Sequence, residues 1–401
     1  MRLILVRKTN ALSATDFSSQ KIIVIALYFH IPFCHKACHY CDFHFSTNLR
    51  RKDEMTEAMC RELALRKDFF GHRKKLESVY FGGGTPSILN ESDLQKIFEQ
   101  TRLFFDIASD AEITLEANPE DVTPEKLDLW KSFGINRLSI GLQTLREPLL
   151  RLLNRNHTAR EALASVSLAQ KFGFENITVD FIYGIPDLTA EEFAEDLKTI
   201  IDTGISHISA YCLTVEAGTA LQRYVLTGKI NMPDEEIVVR QFEVMTKILK
   251  ENDFRHYEIS NFGKEHFYSR HNQNYWKKGA YLGIGPSAHG YDGKIRYANV
   301  ANNYTYVSAL AENKLPESIE ILTRKDHINE YILTSLRTEE GIDAEFLNRE
   351  YDFDLFGNFS KEIESNIKAG NIVLSGKKIL LTEAGKLFAD AVAADFFWLE
   401  D

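Results

Sequence analysis

Residues 28–45 read YFHIPFCHKACHYCDFHF. Cys34, Cys38 and Cys41 fall within eight positions, and His30, His35, His39 and His44 surround them. The stretch begins as the end of an apolar, β-branched run, IVIALYFHI at 23–31, and turns at once into a loop dense in metal-ligating side chains. Chemistry placed at the end of a strand is the habit of α/β proteins with parallel strands. The rest of the chain therefore has to be read for repeats of the same unit.

Further runs of strand type are LESVYFG (76–82), AEITLEAN (111–118), NRLSIGL (136–142), NITVDFIYGI (176–185) and HISAYCLTV (207–215). Between them, apolar residues recur at helical spacing over 52–70, 91–104, 123–133, 158–172, 189–203 and 233–251. Thr123-Pro124 and Thr189 before Glu192 are helix starts, and Gly134, Gly173 and Gly204 fall where helix C-terminal caps belong. Such repeats imply parallel strands joined by right-handed crossovers. They close either as an open doubly wound sheet or as a barrel. Distinctive residues follow nearly every strand: the cysteine loop, Gly82-Gly83-Gly84-Thr85-Pro86, Glu116-Ala117-Asn118-Pro119, Gly141-Leu142-Gln143 and Asp180. A site drawn from many successive strand ends is the barrel pattern, so we expect a partial, TIM-like (β/α)6 barrel.

Three segments follow: an N-terminal extension at 1–22, the barrel with its following strands and loops at 23–300, and a smaller domain at 301–401. The last ends in KKILLTEAGKLFADAVAADFF, a strand, a Thr cap and a helix, compatible with a small helical, winged-helix-like domain. A net charge of −11 argues against non-specific nucleic-acid binding. Only five cysteines, three of them in one loop, suit a reducing compartment and a single metal or redox site. The apolar run KIIVIALYF is too short to span a bilayer. A cytoplasmic protein is expected; peripheral contact with a membrane stays open.

Three readings fit C-x3-C-x2-C. The thiols can pack as small hydrophobes. They can hold zinc, with His39 or His44 completing a Cys3His set. They can hold an iron–sulfur cubane with one iron left for an exogenous ligand, because four thiolates are the usual complement. Asp180 lies in a β-branched run, where a carboxylate needs a partner; Arg155 is the candidate.

C-x3-C-x2-C after the first strand of an α/β barrel resembles the signature of the radical S-adenosylmethionine (SAM) enzymes. YFHIPFCHKACHYC further resembles the oxygen-independent coproporphyrinogen III oxidases and their heme-chaperone branch, HemW. HISAYCLTVEAGT (207–219), YEISNFGKEHFYSRHNQNYW (257–276) and YLGIGPSAHG (281–290) carry the likeness onward, strongly over about 28–300. The resemblance implies a [4Fe–4S] cluster on Cys34, Cys38 and Cys41, with SAM on its open iron, where reduction generates a 5′-deoxyadenosyl radical. It further implies SAM contacts from Tyr28, Tyr40, Gly83, Gly84, Thr85 and Glu116. Gln143, Arg155 and Asp180 match positions lining a second SAM or a substrate pocket.

Two departures favour the chaperone branch. The oxidases commonly carry a further cysteine two residues past the third ligand, where this chain has Phe43. The stretch His271-Asn272-Gln273-Asn274-Tyr275-Trp276 matches HNxxYW, the motif associated with heme in that branch. A neutral imidazole is a good axial ligand, and Tyr275 and Trp276 offer flat faces to a macrocycle. His289 is a second candidate. Cys60 and Cys212 are read as packing residues. The expected function is heme binding and delivery to respiratory heme proteins, with a reductant serving the cluster. The alternatives are oxidative decarboxylation of coproporphyrinogen III and a structural zinc protein.

Overall fold

A computed structural model describes residues 25–72 and 75–399; the N-terminal extension expected at 1–22 lies outside them. Six parallel strands come first: β1 Ile25–Ile31, β2 Lys75–Gly83, β3 Asp106–Ala117, β4 Arg137–Gln143, β5 Asn176–Tyr183 and β6 His207–Cys212. They stand side by side in chain order, without the reversal of a doubly wound sheet. Helices Lys52–Leu65, Glu91–Phe104, Pro124–Ser132, Ala159–Lys171 and Ala190–Ile201 make the crossovers. Their starts are chemically specified, since Asn90 with Asp93, Thr158 with Glu161, and Thr189 with Glu192 each form reciprocal capping boxes.

The barrel remains open because other strands occupy both of its edges. Strands β7 Arg255–Glu258 and β8 Asn261–Gly263 extend the sheet beyond β6. Beyond β1 lie β9 Ala280–Ile284, β10 His289–Tyr291, β11 Ile295–Asn299 and β12 Glu317–Ile321. Only β9 of these continues the parallel pattern, pairing Ile25 with Ala280 through Phe29 with Ile284. The twelve-stranded sheet thus runs to Ile321, which moves the domain boundary from residue 300 to beyond that strand.

Strand alternation sorts the side chains. Phe29, Phe81, Leu115, Ile140, Val179 and Ile208 are fully buried on the helix-covered side. The concave side is polar, joined by Tyr80–Glu116, Ser139–Asp180 and Thr178–His207 contacts. That division leaves an interior suited to a polar ligand.

A separate core, including Ile328, Ile332, Leu347, Ile379 and Phe396, organises the C-terminal unit. Helix Arg324–Leu336, β13 Ile342–Asp343, helices Ala344–Tyr351 and Ser360–Lys368, and the hairpin of β14 Ile372–Ser375 with β15 Lys378–Leu381 follow in winged-helix order. Among the described residues, no helix is long and apolar enough to cross a membrane.

Candidate functional site

The cysteine loop is pinned at its neck and along its length. Cys34 N donates to Ser46 O (3.1 Å) and Ser46 N to Pro32 O (2.9 Å), closing the neck. Farther along, His39 N donates to Leu153 O, Asn154 Nδ2 to Ala37 O, and Leu221 N to His39 O. Such a loop presents its thiols with little freedom. Cys34, Cys38 and Cys41 are all half-buried. Burial pushes the Cys34 thiol up to about 11 and that of Cys41 to about 12, so a bound metal has to displace both protons.

Among the described residues, no three His, Cys, Asp or Glu side chains converge as a single ion requires. The two histidines proposed to complete a zinc set are engaged elsewhere: His39 Nδ1 with Leu152 O (2.7 Å) and His44 Nε2 with Asn303 Oδ1 (2.7 Å). Thiolates that each hold a different iron of a cubane need no common centre, so the donor set suits the cluster better than zinc. Cys60 is half-buried on its helix, but Cys212, the last residue of β6, is exposed, contrary to its reading as a packing residue.

The glycines after β2 serve packing first. A Cβ on Gly84 would lie 2.6 Å from Phe33 O and 2.7 Å from Ile31 O. Gly84 N and Thr85 N both donate into that same segment, to Ile31 O and Phe33 O. These two amides are therefore spent on holding β1 and the cysteine loop. The side chain of Thr85 hydrogen-bonds Cys34.

Glu116 accepts from Tyr80 Oη (2.8 Å), and burial pushes its carboxyl up to about 7. Tyr28 lies alongside, its ring 6.1 Å from that of Tyr80 and its hydroxyl 3.2 Å from His30 Nδ1. Tyr40 hydrogen-bonds Cys38, its phenol raised by burial.

Arg155 is not the direct partner of Asp180. Asp180 accepts from Ser139 Oγ (3.1 and 3.0 Å), and burial raises it to about 6. Arg155 turns to the loop instead, donating to Cys38 Sγ (3.4 Å), Asn118 Oδ1 (2.8 Å) and Gly141 O (2.8 Å). Hydroxyls beside Asp180 satisfy it without a cation. Gln143 closes β4 at φ +69°, a conformation uncommon outside glycine, and its amide folds back over Gly141.

His271 proves to be a structural residue in this conformation. It is the second residue of the helix Arg270–Trp276 and is 1% exposed. Its Nδ1 meets Ser78 Oγ (2.9 Å), its Nε2 meets Tyr275 Oη (3.1 Å), and Tyr80 packs against its ring at 4.9 Å. Burial, with the nearby Arg137 charge, lowers the imidazole to about 3. Both ring nitrogens are taken, so the expectation of an imidazole open to heme iron is not met here. Trp276 is half-buried under the Arg337 guanidinium, 5.5 Å from its ring centre. His289 is the exposed histidine of the two candidates.

Sequence reasoning missed Tyr80, Ser139 and Arg137. Each stands at an even spacing from a recognised residue, Tyr80 two before Gly82, and Ser139 and Arg137 two and four before Gly141. On a strand that spacing places them on the same face.

The Radical SAM superfamily model matches residues 28–200, and that of the HemN C-terminal domain matches residues 322–388. A heme chaperone HemW of Bacillus subtilis is 32% identical over 92% of this chain and 98% of its own. One of Mycobacterium tuberculosis is 34% identical over 91% of this chain and 93% of its own. The structure of coproporphyrinogen III oxidase from Escherichia coli superposes with a TM-score of 0.81 at 24% identity, covering 94% of this chain and 90% of that one. At that identity the likeness speaks for the fold alone.

Proposed function

The chain belongs to the HemW family within the radical SAM superfamily, and on that premise we propose that it is a heme chaperone, binding heme and delivering it to acceptor proteins. Radical SAM domains in general carry a [4Fe–4S] cluster and SAM. Here Cys34, Cys38 and Cys41 would hold the cluster. When bound, the pair supplies one-electron chemistry at the barrel mouth.

The chain's own residues orient the ligand. Arg155 fixes Cys38 against β4, and Thr85 does the same for Cys34. Gly83 and Gly84 bring β2 close to the loop, while Tyr28, Tyr40 and Gln143 wall the pocket. Glu116 and Asp180 would offer acceptors to the hydroxyls and amino group of SAM. Heme is the cargo; the HNxxYW helix receives it once His271 releases Ser78 or Tyr275. Respiratory heme proteins are the acceptors, and a separate reductant serves the cluster.

The carrying observation is identity to heme chaperones along nearly the whole chain, with Phe43 where a fourth loop cysteine would stand. Anaerobic incubation with SAM, reductant, heme and coproporphyrinogen III tests it. Heme should bind and pass to an apo-heme acceptor without formation of protoporphyrinogen IX. Stoichiometric decarboxylation would replace this reading with the oxidase.

A further inference from the structure

We infer that His289 is the axial ligand with which the barrel mouth captures heme before the HNxxYW helix opens. The inference rests on the heme-chaperone reading above and assigns the first stop of the cargo. His289 begins β10 and is exposed, and no hydrogen bond or ion pair engages its ring among the described residues.

Strand register places it. Tyr28 of β1 faces the concave side and pairs with Gly283 of β9. A Cβ on Gly283 would run into His289 O, so the chain entering β10 folds in over that side. A Cβ on Gly290 would instead meet the ring of Tyr297 in the buried core, which leaves His289 and Tyr291 facing the interior. His289 is also close enough to bear on the charge of His30, the penultimate residue of β1. It thus stands at the cysteine end of the barrel, on the inner side and within reach of solvent.

The other imidazoles nearby are spent. His30 meets Tyr28 Oη (3.2 Å) and His44 O (2.8 Å), and His44 Nε2 meets Asn303 Oδ1 (2.7 Å). His271 has both nitrogens taken. Burial and the Arg296 charge lower His289, so its ring is neutral near pH 7 and keeps a lone pair for iron. Flat surface lies beside it as well. The ring of Tyr291 is 6.1 Å from that of Tyr281, which is 4.6 Å from that of Tyr275. This aromatic row joins the strand of His289 to the HNxxYW helix, so capture at one end leads to the other.

The test is an anaerobic titration of ferric heme into the cluster-loaded full chain, read by Soret absorbance and electron paramagnetic resonance. Wild type is compared with His289→Ala, with and without free imidazole, and with His266→Asn. His266 is exposed beside Asn136 and Asn176, at the opposite end of the strands. His289→Ala should weaken heme binding by at least about tenfold and lose the histidine-ligated spectrum. Imidazole should restore that spectrum, and His266→Asn should match wild type. Wild-type affinity and spectrum in His289→Ala overturn the inference. So does a loss that imidazole does not restore, or one that His266→Asn shares. If the alanine variant does not fold, the wild type decides: bound heme should shield His289 from carbethoxylation by diethyl pyrocarbonate, read by peptide mass mapping. Equal labelling with and without heme overturns the inference. A wild type that binds no heme instead overturns the chaperone reading itself, and the inference falls with it.

Discussion

Ser78 Oγ stands 2.9 Å from His271 Nδ1, bolting β2 to the helix beneath the barrel. The bolt explains how a histidine of a heme-associated motif is sealed from solvent. It also sets an order of events, in which the helix loosens before any macrocycle reaches the imidazole. Ser78→Ala removes the bolt and leaves Nδ1 unpaired, at a cost of about 1–2 kcal/mol in stability. If His271 ligates heme, the same change speeds heme association, read by stopped-flow absorbance in the Soret region. An unchanged rate in a folded variant would separate His271 from heme capture.

Acid stability should report the same residue. Burial lowers His271 from its ordinary 6.5 to about 3. The unfolded chain therefore binds a proton that the native state refuses, and stability is lost as pH falls from 6.5 toward 3. Glu116 and Asp180 act in the opposite direction. Their raised values favour the native state at low pH, and that support is lost as pH rises through about 7 and 6. His271→Gln keeps polar contacts but does not titrate. Relative to wild type it should flatten the acid limb by about 1.4 kcal/mol per pH unit below 6.5. Thermal unfolding of the apo-protein across pH 7 to 4 measures the difference, expected at about a few kcal/mol.

Much of this was legible in the sequence because period and punctuation agreed. Thr189 with Glu192 marks a helix start, and six β-branched runs mark the barrel strands. The cysteine loop declared itself by density. What stayed hidden depends on three-dimensional competition. Asp180 and Arg155 look like natural partners in one dimension, but Ser139 is beside Asp180 across the ladder while Cys38 and Asn118 capture Arg155. His271 looks like a ligand until Ser78, distant in sequence, is seen beside it. Strand β12 follows a loop and a helix, so nothing local tells that it rejoins the large sheet.

The cysteines separate by role. Serine at position 34, 38 or 41 should abolish cluster retention, since these are the three thiolates proposed to hold it. Cys60→Ser and Cys212→Ser should keep wild-type iron and sulfide, because both residues stand outside the loop. Iron and sulfide assays on anaerobically purified protein check this. Loss of iron in Cys212→Ser would mean that it supplies a ligand.

Gly84→Ala should disturb the loop without touching a thiol. The added methyl meets two carbonyl oxygens, Phe33 O and Ile31 O, which belong to the backbone rather than a pliable side chain. The cost should be about 1–3 kcal/mol, with weaker cluster retention. Gly82→Ala offers a comparison, because its methyl meets the Tyr80, Glu116 and Tyr28 side chains. It should keep the cluster yet weaken SAM binding in an equilibrium titration. The opposite pattern would contradict the assignment of Gly84 to the loop and Glu116 to the pocket.

Arg155 ties three pieces together: the cysteine loop, β4 and the turn after β3. Arg155→Met leaves Asn118 Oδ1 and Gly141 O without their donor and frees Cys38 to drift. Stability should fall by about 2–4 kcal/mol. Arg155→Lys retains the charge but not the planar fork, and one ammonium cannot reach all three acceptors in the same geometry. It should recover stability only in part, while cluster occupancy returns further than SAM affinity because the charge near Cys38 survives. Chemical denaturation, iron content and SAM titration on both variants separate these effects. Full recovery by lysine in all three would show that charge alone matters here and that the fork does not position the loop.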